Sequence, residues 1–146
     1  MRARELLERC RAANGDIRRM QEKINRLHEC AMRTSSFLSP VSGGGVVSDR
    51  YGGFAADIDD AERELKERRE QHESEMLACR KLLEQLPELE CAILHRFYVL
   101  EQTLGQIAKK QGYRVGYCKR RKSEGLRMLN GVSAEEIRAL LPPWYE

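Results

Sequence analysis

Apolar residues recur along the start of the chain at alternating spacings of four and three: Leu6, Cys10, Ala13, Ile17, Met20, Ile24, Leu27 and Ala31. This is a heptad seam, and the positions between are mostly Arg, Glu and Lys, so the pattern predicts one long amphipathic helix. Asn14-Gly15 is its soft spot, because glycine inside a helix costs about 1 kcal/mol relative to alanine. Residues 34–53 lose the rhythm. Thr34-Ser35-Ser36, Ser39-Pro40, Ser42-Gly43-Gly44-Gly45 and Gly52-Gly53 predict a loop there, within which Phe37, Leu38, Val41, Val46 and Val47 can pack locally. A second long helix is expected from about Phe54 to Leu86. Phe54, Ile58, Ala61 and Leu65 restart the seam, and Met76, Cys79, Leu83 and Leu86 complete it, with Arg68 or Arg69 and His72 in the middle. Asp57, Asp59 and Asp60 suit its N-terminal turns, and Pro87 closes it.

Two seamed helices joined by such a loop predict an antiparallel helical hairpin over 1–86. The same seams would serve an intermolecular coiled coil, so a homo-oligomer built through them stands beside the intramolecular pairing.

Beyond Pro87 the pattern shortens. Glu88 to Leu100 is densely apolar, with Leu89, Ala92, Ile93, Phe97 and Tyr98. Thr103 is a candidate N-cap for a short helix carrying Ile107 and Ala108 inward, and Gly112 is placed to end it with a left-handed residue. A further helix starts near Arg114 and runs through Leu126 and Leu129, with Val115, Cys118, Leu126 and Leu129 expected to face inward. Two helices joined by a short glycine turn, with a small residue in the first, form the pattern of a helix-turn-helix over 87–131, whose second helix enters the DNA major groove. The tail, 132–146, opens on a capping box, Ser133 with Glu136, followed by Ile137, Leu140 and Leu141 and stopped by Pro142-Pro143. Trp144 and Tyr145 read as a plug on the core or as an anchor for a partner.

Charge sharpens this picture. The whole chain carries a net +3. From Phe54 to Leu86 ten acids face six bases, whereas from Thr103 to Leu129 eight bases stand against Glu124 alone. That concentrated segment supplies the electrostatic attraction that dominates nucleic-acid binding. On the second helix Arg114, Tyr117, Lys119, Arg120 and Arg121 are the expected base readers. Thr103, Lys109, Lys110, Lys122 and Arg127 are the expected phosphate contacts.

The stretch from Leu86 to Leu129 resembles region 4 of bacterial sigma factors: a helix ending in an aromatic, Thr103-Leu104-x-x-Ile107-Ala108, the Gly112-Tyr113 turn, then a basic helix ending in leucine. The whole layout is similar to small phage transcriptional regulators of the ArpU and RinA kind. The resemblance implies a phage or prophage regulator that binds double-stranded DNA, with bacterial RNA polymerase as a further partner. The chain departs from the sigma pattern where Gln111 and Lys122 replace apolar residues and Cys118 replaces a valine. Gly125 is expected to loosen the recognition helix.

Other classes are disfavoured. No apolar run reaches the roughly 18 residues of a membrane helix, and no secretory leader follows Met1-Arg2. Five cysteines, at 10, 30, 79, 91 and 118, include no Cys-x-x-Cys pair, so reduced thiols in a bacterial cytoplasm are expected rather than a zinc site. Cys91 and His95 share a helix face, but two ligands are too few for a metal. His28 and His72 have no forced partner. The triple glycine lacks the Gly-Lys-Ser/Thr of a phosphate loop, and no hydrolase or metalloprotease motif is present, so neither catalysis nor a cofactor is expected. Two rivals remain: a DNA-packaging subunit of the small-terminase type, and a polymerase- or sigma-binding module that barely touches DNA.

Overall fold

A computed structural model describes residues 1–36 and 45–145 of the chain, with side chains for 1–33 and 53–145. The fold is all-α. Helix α1 spans Ala3–Ser36 and α2 spans Gly45–Leu83. Helix α3, Glu88–Leu94, runs directly into a π-helical turn, His95–Val99. Helices α4 (Leu104–Gln111), α5 (Val115–Leu129) and α6 (Ala134–Leu140) follow, and no strand occurs among the described residues.

The long helices reach further than composition suggests. Helix covers 34–36 and 45–53, which the Gly/Ser/Pro content assigned to the loop 34–53. Once a helix is nucleated each added residue gains a hydrogen bond, so extension tolerates glycines that would never nucleate one. The local packing expected of Phe37, Leu38, Val41, Val46 and Val47 lies outside the described side chains.

The chain forms two compact units. One is Gly15–Glu70. Here Ile24 packs with Ala61 and Leu65, and Ile17, Met20 and Leu27 flank them, as the seam predicts. Arg68 reaches Asp16 at 3.6 Å, and His28 lies 3.8 Å from Glu62. Late residues of α1 therefore meet early residues of α2, and the pairing in this unit is antiparallel and within one chain. Arg68 occupies the polar middle of the seam with a mostly buried side chain, its stem covered and its guanidinium on the carboxylate.

The other unit joins Met1–Asn14 to Gln71–Glu146. Its core takes Leu6, Leu7 and Cys10 from α1 and Ala78, Cys79, Leu82 and Leu83 from α2. To these it adds Leu94, Tyr98, Val99, Leu129, Ile137 and Tyr145. The expected division into 1–86, 87–131 and 132–146 is therefore not how the chain packs. Four short helices bury too little apolar surface to stand alone, and the ends of both long helices complete their core.

Tyr145 is the plug on this core; Trp144, expected to share that role, is 55% exposed. The Tyr145 hydroxyl donates to Glu75 Oε1 at 2.5 Å and accepts from Arg9 Nη1 at 3.3 Å. Burial, then the hydrogen bond to Glu75, pushes the Tyr145 pKa above its ordinary value. His72 Nδ1 stands 3.8 Å from the other Glu75 oxygen. The tail is thus tied to both long helices through the one Tyr145 hydroxyl.

Candidate nucleic-acid interface

Helix α4 is held at both ends by its own residues. Thr103 Oγ1 accepts from the Gln106 amide at 3.2 Å, and Gln106 Oε1 accepts from the Thr103 amide at 2.9 Å. This capping box satisfies two amides that the helix start leaves over. Gly112 ends the helix at φ +73°, a left-handed conformation that other residues resist. Ile107 and Ala108 face inward and meet Ile93 and Cys118. The chain leaves the turn extended at Arg114 and enters α5, which packs on both α3 and α4.

Gly125 has the opposite role to the one expected. It is buried, and a Cβ there would sit 2.8 Å from Leu94 Cδ1 and 3.3 Å from Glu90 Cβ. Its missing side chain is what lets α5 lie directly on α3, so it tightens the packing rather than loosening the helix.

The expected DNA-contacting residues separate into two groups. Arg114 is exposed at the N-cap of α5, Lys119 and Arg120 are exposed on α5, and Lys109 and Lys110 are exposed at the end of α4. Tyr117 is half-buried, with its ring centroid 5.0 Å from that of exposed Tyr113. Thr103 is also exposed, but its hydroxyl oxygen serves as the cap.

The second group is turned toward the protein. Arg121 Nη1 donates to buried Glu90 at 3.1 Å, its Nε is buried without a hydrogen-bond partner, and its guanidinium stands over Tyr117 at 5.5 Å. Expected to read bases, it instead neutralises a carboxylate that α3 buries. Lys122, expected on a phosphate, lies 4.3 Å from the Phe97 ring centroid. Arg11 stands 3.8 Å from the same ring and donates to the Phe97 and Gln102 carbonyls. Burial lowers the Lys122 pKa, and the charges of Arg4 and Arg11 lower it further. The ammonium sits where the sigma pattern has an apolar residue, so its stem and charge are absorbed by the aromatic rings. Arg127 is exposed but pairs with Glu124, Nε to Oε2 at 3.1 Å.

Two residues of this region, Glu90 and Arg11, were not picked out from the sequence as part of it, and a third, Val115, was expected to be buried. Glu90 carried a signal, since it shares the 90, 93/94, 97 stripe with Ile93, Leu94 and Phe97 and an acid on an apolar stripe needs a cation. Arg11 sits in a mixed-charge run that reads as an ordinary solvated face. Val115 was assigned inward by its three-residue spacing to Cys118, yet it is 49% exposed. Residues 112–116 are all exposed, so the first turn of α5 projects past what the helix packs on.

Burial lowers the pKa of His95 and raises that of Cys91, and no group of three or more His, Cys, Asp or Glu placed to hold a metal occurs among the described residues. No described helix is long and apolar enough to cross a membrane. Comparison with known protein families, with curated proteins and with solved structures finds no match for the chain.

Proposed function

We propose that the chain is a sequence-specific DNA-binding transcriptional regulator that uses α4 and α5 as a helix-turn-helix. The supporting observation is a set of exposed cations: Arg114 at the N-cap of α5, Lys119 and Arg120 on α5, and Lys109 and Lys110 on α4, with no acid between Thr103 and Ser123. Cations gathered on a helix whose opposite side is packed suit a polyanion with a groove wide enough for that helix. Lysine and arginine neutralise phosphates there, and arginine also reads guanine. The likeness of this segment to sigma region 4, and of the layout to ArpU- and RinA-type regulators, extends the proposal to a phage or prophage origin and to RNA polymerase as a partner. The antiparallel helices of Gly15–Glu70 are the candidate surface for that partner or for self-association. The protein acts by binding, without catalysis or cofactor.

The test is retention of fragmented genomic DNA from the source organism at two salt concentrations, followed by sequencing. A regulator enriches one short site that persists at the higher salt. Diffuse retention that vanishes with salt would leave only unspecific electrostatics and reject the proposal. Alanine at both Lys119 and Arg120 should lower the salt slope of binding by about 2, at roughly 0.9 per phosphate contact.

A further inference from the structure

We propose that Val115 reads the 5-methyl group of a thymine in the major groove, which makes it a specificity-determining residue of the α5 surface; this rests on the DNA-binding reading above. Val115 is the first residue of α5 and is 49% exposed. It stands among cations: Arg114 precedes it at the N-cap, and Lys119 lies one turn on, at i+4. An apolar β-branched side chain inside a cationic surface gains nothing from water. It gains when a polyanion covers the surface and presents an apolar atom to it. In duplex DNA the group of that kind on a base edge in the major groove is the thymine methyl.

The local backbone favours close approach. Gly116 is exposed, and a Cβ built on it would meet nothing within 4 Å, so the side of the helix next to Val115 is open space. Tyr113, 43% exposed, borders the same turn. The cations hold the phosphates on either side, and the valine is left facing the base edges. Arginine and lysine favour guanine, so an apolar contact beside them adds discrimination that the charged residues cannot supply.

The experiment selects binding sites from a randomised duplex library with the full-length protein and with Val115→Ala. Alanine is a better helix former and the site is exposed, so the variant keeps its fold. Each thymine of the wild-type consensus is then replaced by deoxyuridine, which removes only the methyl group. The expected result is one position at which deoxyuridine weakens wild-type binding about fourfold, the worth of one buried methyl-sized group, while Val115→Ala is indifferent to the same replacement. A consensus whose thymines all tolerate deoxyuridine, or a deoxyuridine effect equal in both proteins, overturns this inference and leaves the regulator standing. Selection of no sequence, or preference for single-stranded over duplex DNA, overturns the regulator and this inference with it.

Discussion

Arg120 and Arg121 are adjacent in sequence and identical in chemistry, yet the structure gives them opposite tasks, and alanine at each should separate them. Arg121 supplies the partner of Glu90, whose side chain is 6% exposed. Removing that partner leaves a carboxylate in the α3–α5 contact without its charge-assisted hydrogen bond, a bond worth about 1.5–3 kcal/mol. The Arg121 side chain is itself 38% exposed, so water softens the loss, and about 2 kcal/mol is expected rather than the larger cost of a fully buried pair. In a chain of this size that lowers the melting temperature by about 4–8 °C. Arg120 is exposed, and its removal should change stability by less than about 0.5 kcal/mol. Its loss should instead weaken DNA binding and lower the salt slope by about 0.9. Thermal denaturation followed by circular dichroism, together with salt-dependent binding, reads both quantities on the same samples. Replacing Glu90 and Arg121 together by leucine should recover part of the stability, because no charge is then left buried alone. If Arg121→Ala melts like the wild type and loses DNA affinity as Arg120→Ala does, the ion pair is not what holds Arg121, and its placement in the packing is wrong.

Four further outcomes follow from the packing. Tyr145→Phe removes a hydrogen bond to a buried carboxylate and should cost about 1.5–3 kcal/mol in urea unfolding, while Trp144→Ala, at an exposed site, should cost far less. Burial raises the pKa of both Tyr98 and Tyr145 from 10.0, so the folded state holds these protons more tightly than the unfolded chain. Stability should therefore be intact below pH 10.0 and fall as pH rises through the folded values, less steeply in Tyr145→Phe; a flat urea midpoint across that range would contradict this. Gly125→Val, which places atoms on Leu94 and Glu90, should destabilise by about 1–3 kcal/mol or more, and unchanged stability would show that α5 does not lie this close to α3. A thiol reagent at neutral pH should modify exposed Cys30 first. Cys118, raised by burial, and Cys79, raised by its hydrogen bond with Cys10 and by burial, should react only on unfolding, which mass spectrometry of the labelled peptides will show.

Local rules were readable where a feature depends on neighbours in sequence. The Thr103 and Ser133 capping boxes, the left-handed Gly112 and the stop at Pro142-Pro143 each involve residues within a few positions of one another, and each occurs as the pattern predicts. The α1 seam held for the same reason, since a period of 3.5 residues marks the buried stripe whatever it packs on. Roles that depend on residues far along the chain did not show. Nothing near Lys122 announces Phe97, and nothing near Arg121 announces Glu90 on another helix. The Val115 assignment failed because periodicity says which side a residue is on but not where the opposing surface ends.

An all-helical chain, the order and rough span of its helices, the glycine turn between α4 and α5, and the gathering of bases after Thr103 were all legible along the chain. These follow from hydrogen bonding, backbone freedom and charge at short range. Which of those bases face solvent, and which are absorbed by Glu90 and Phe97, was settled by the packing of the helices. The same packing decided that Gly125 is a contact point, and that the start of α1 and the end of α2 complete the core of the short helices. The reason is that burial is a property of pairs of surfaces. One helix specifies its apolar stripe, but how far that stripe is covered, and which charges are trapped at its edge, depends on the helices that arrive to cover it.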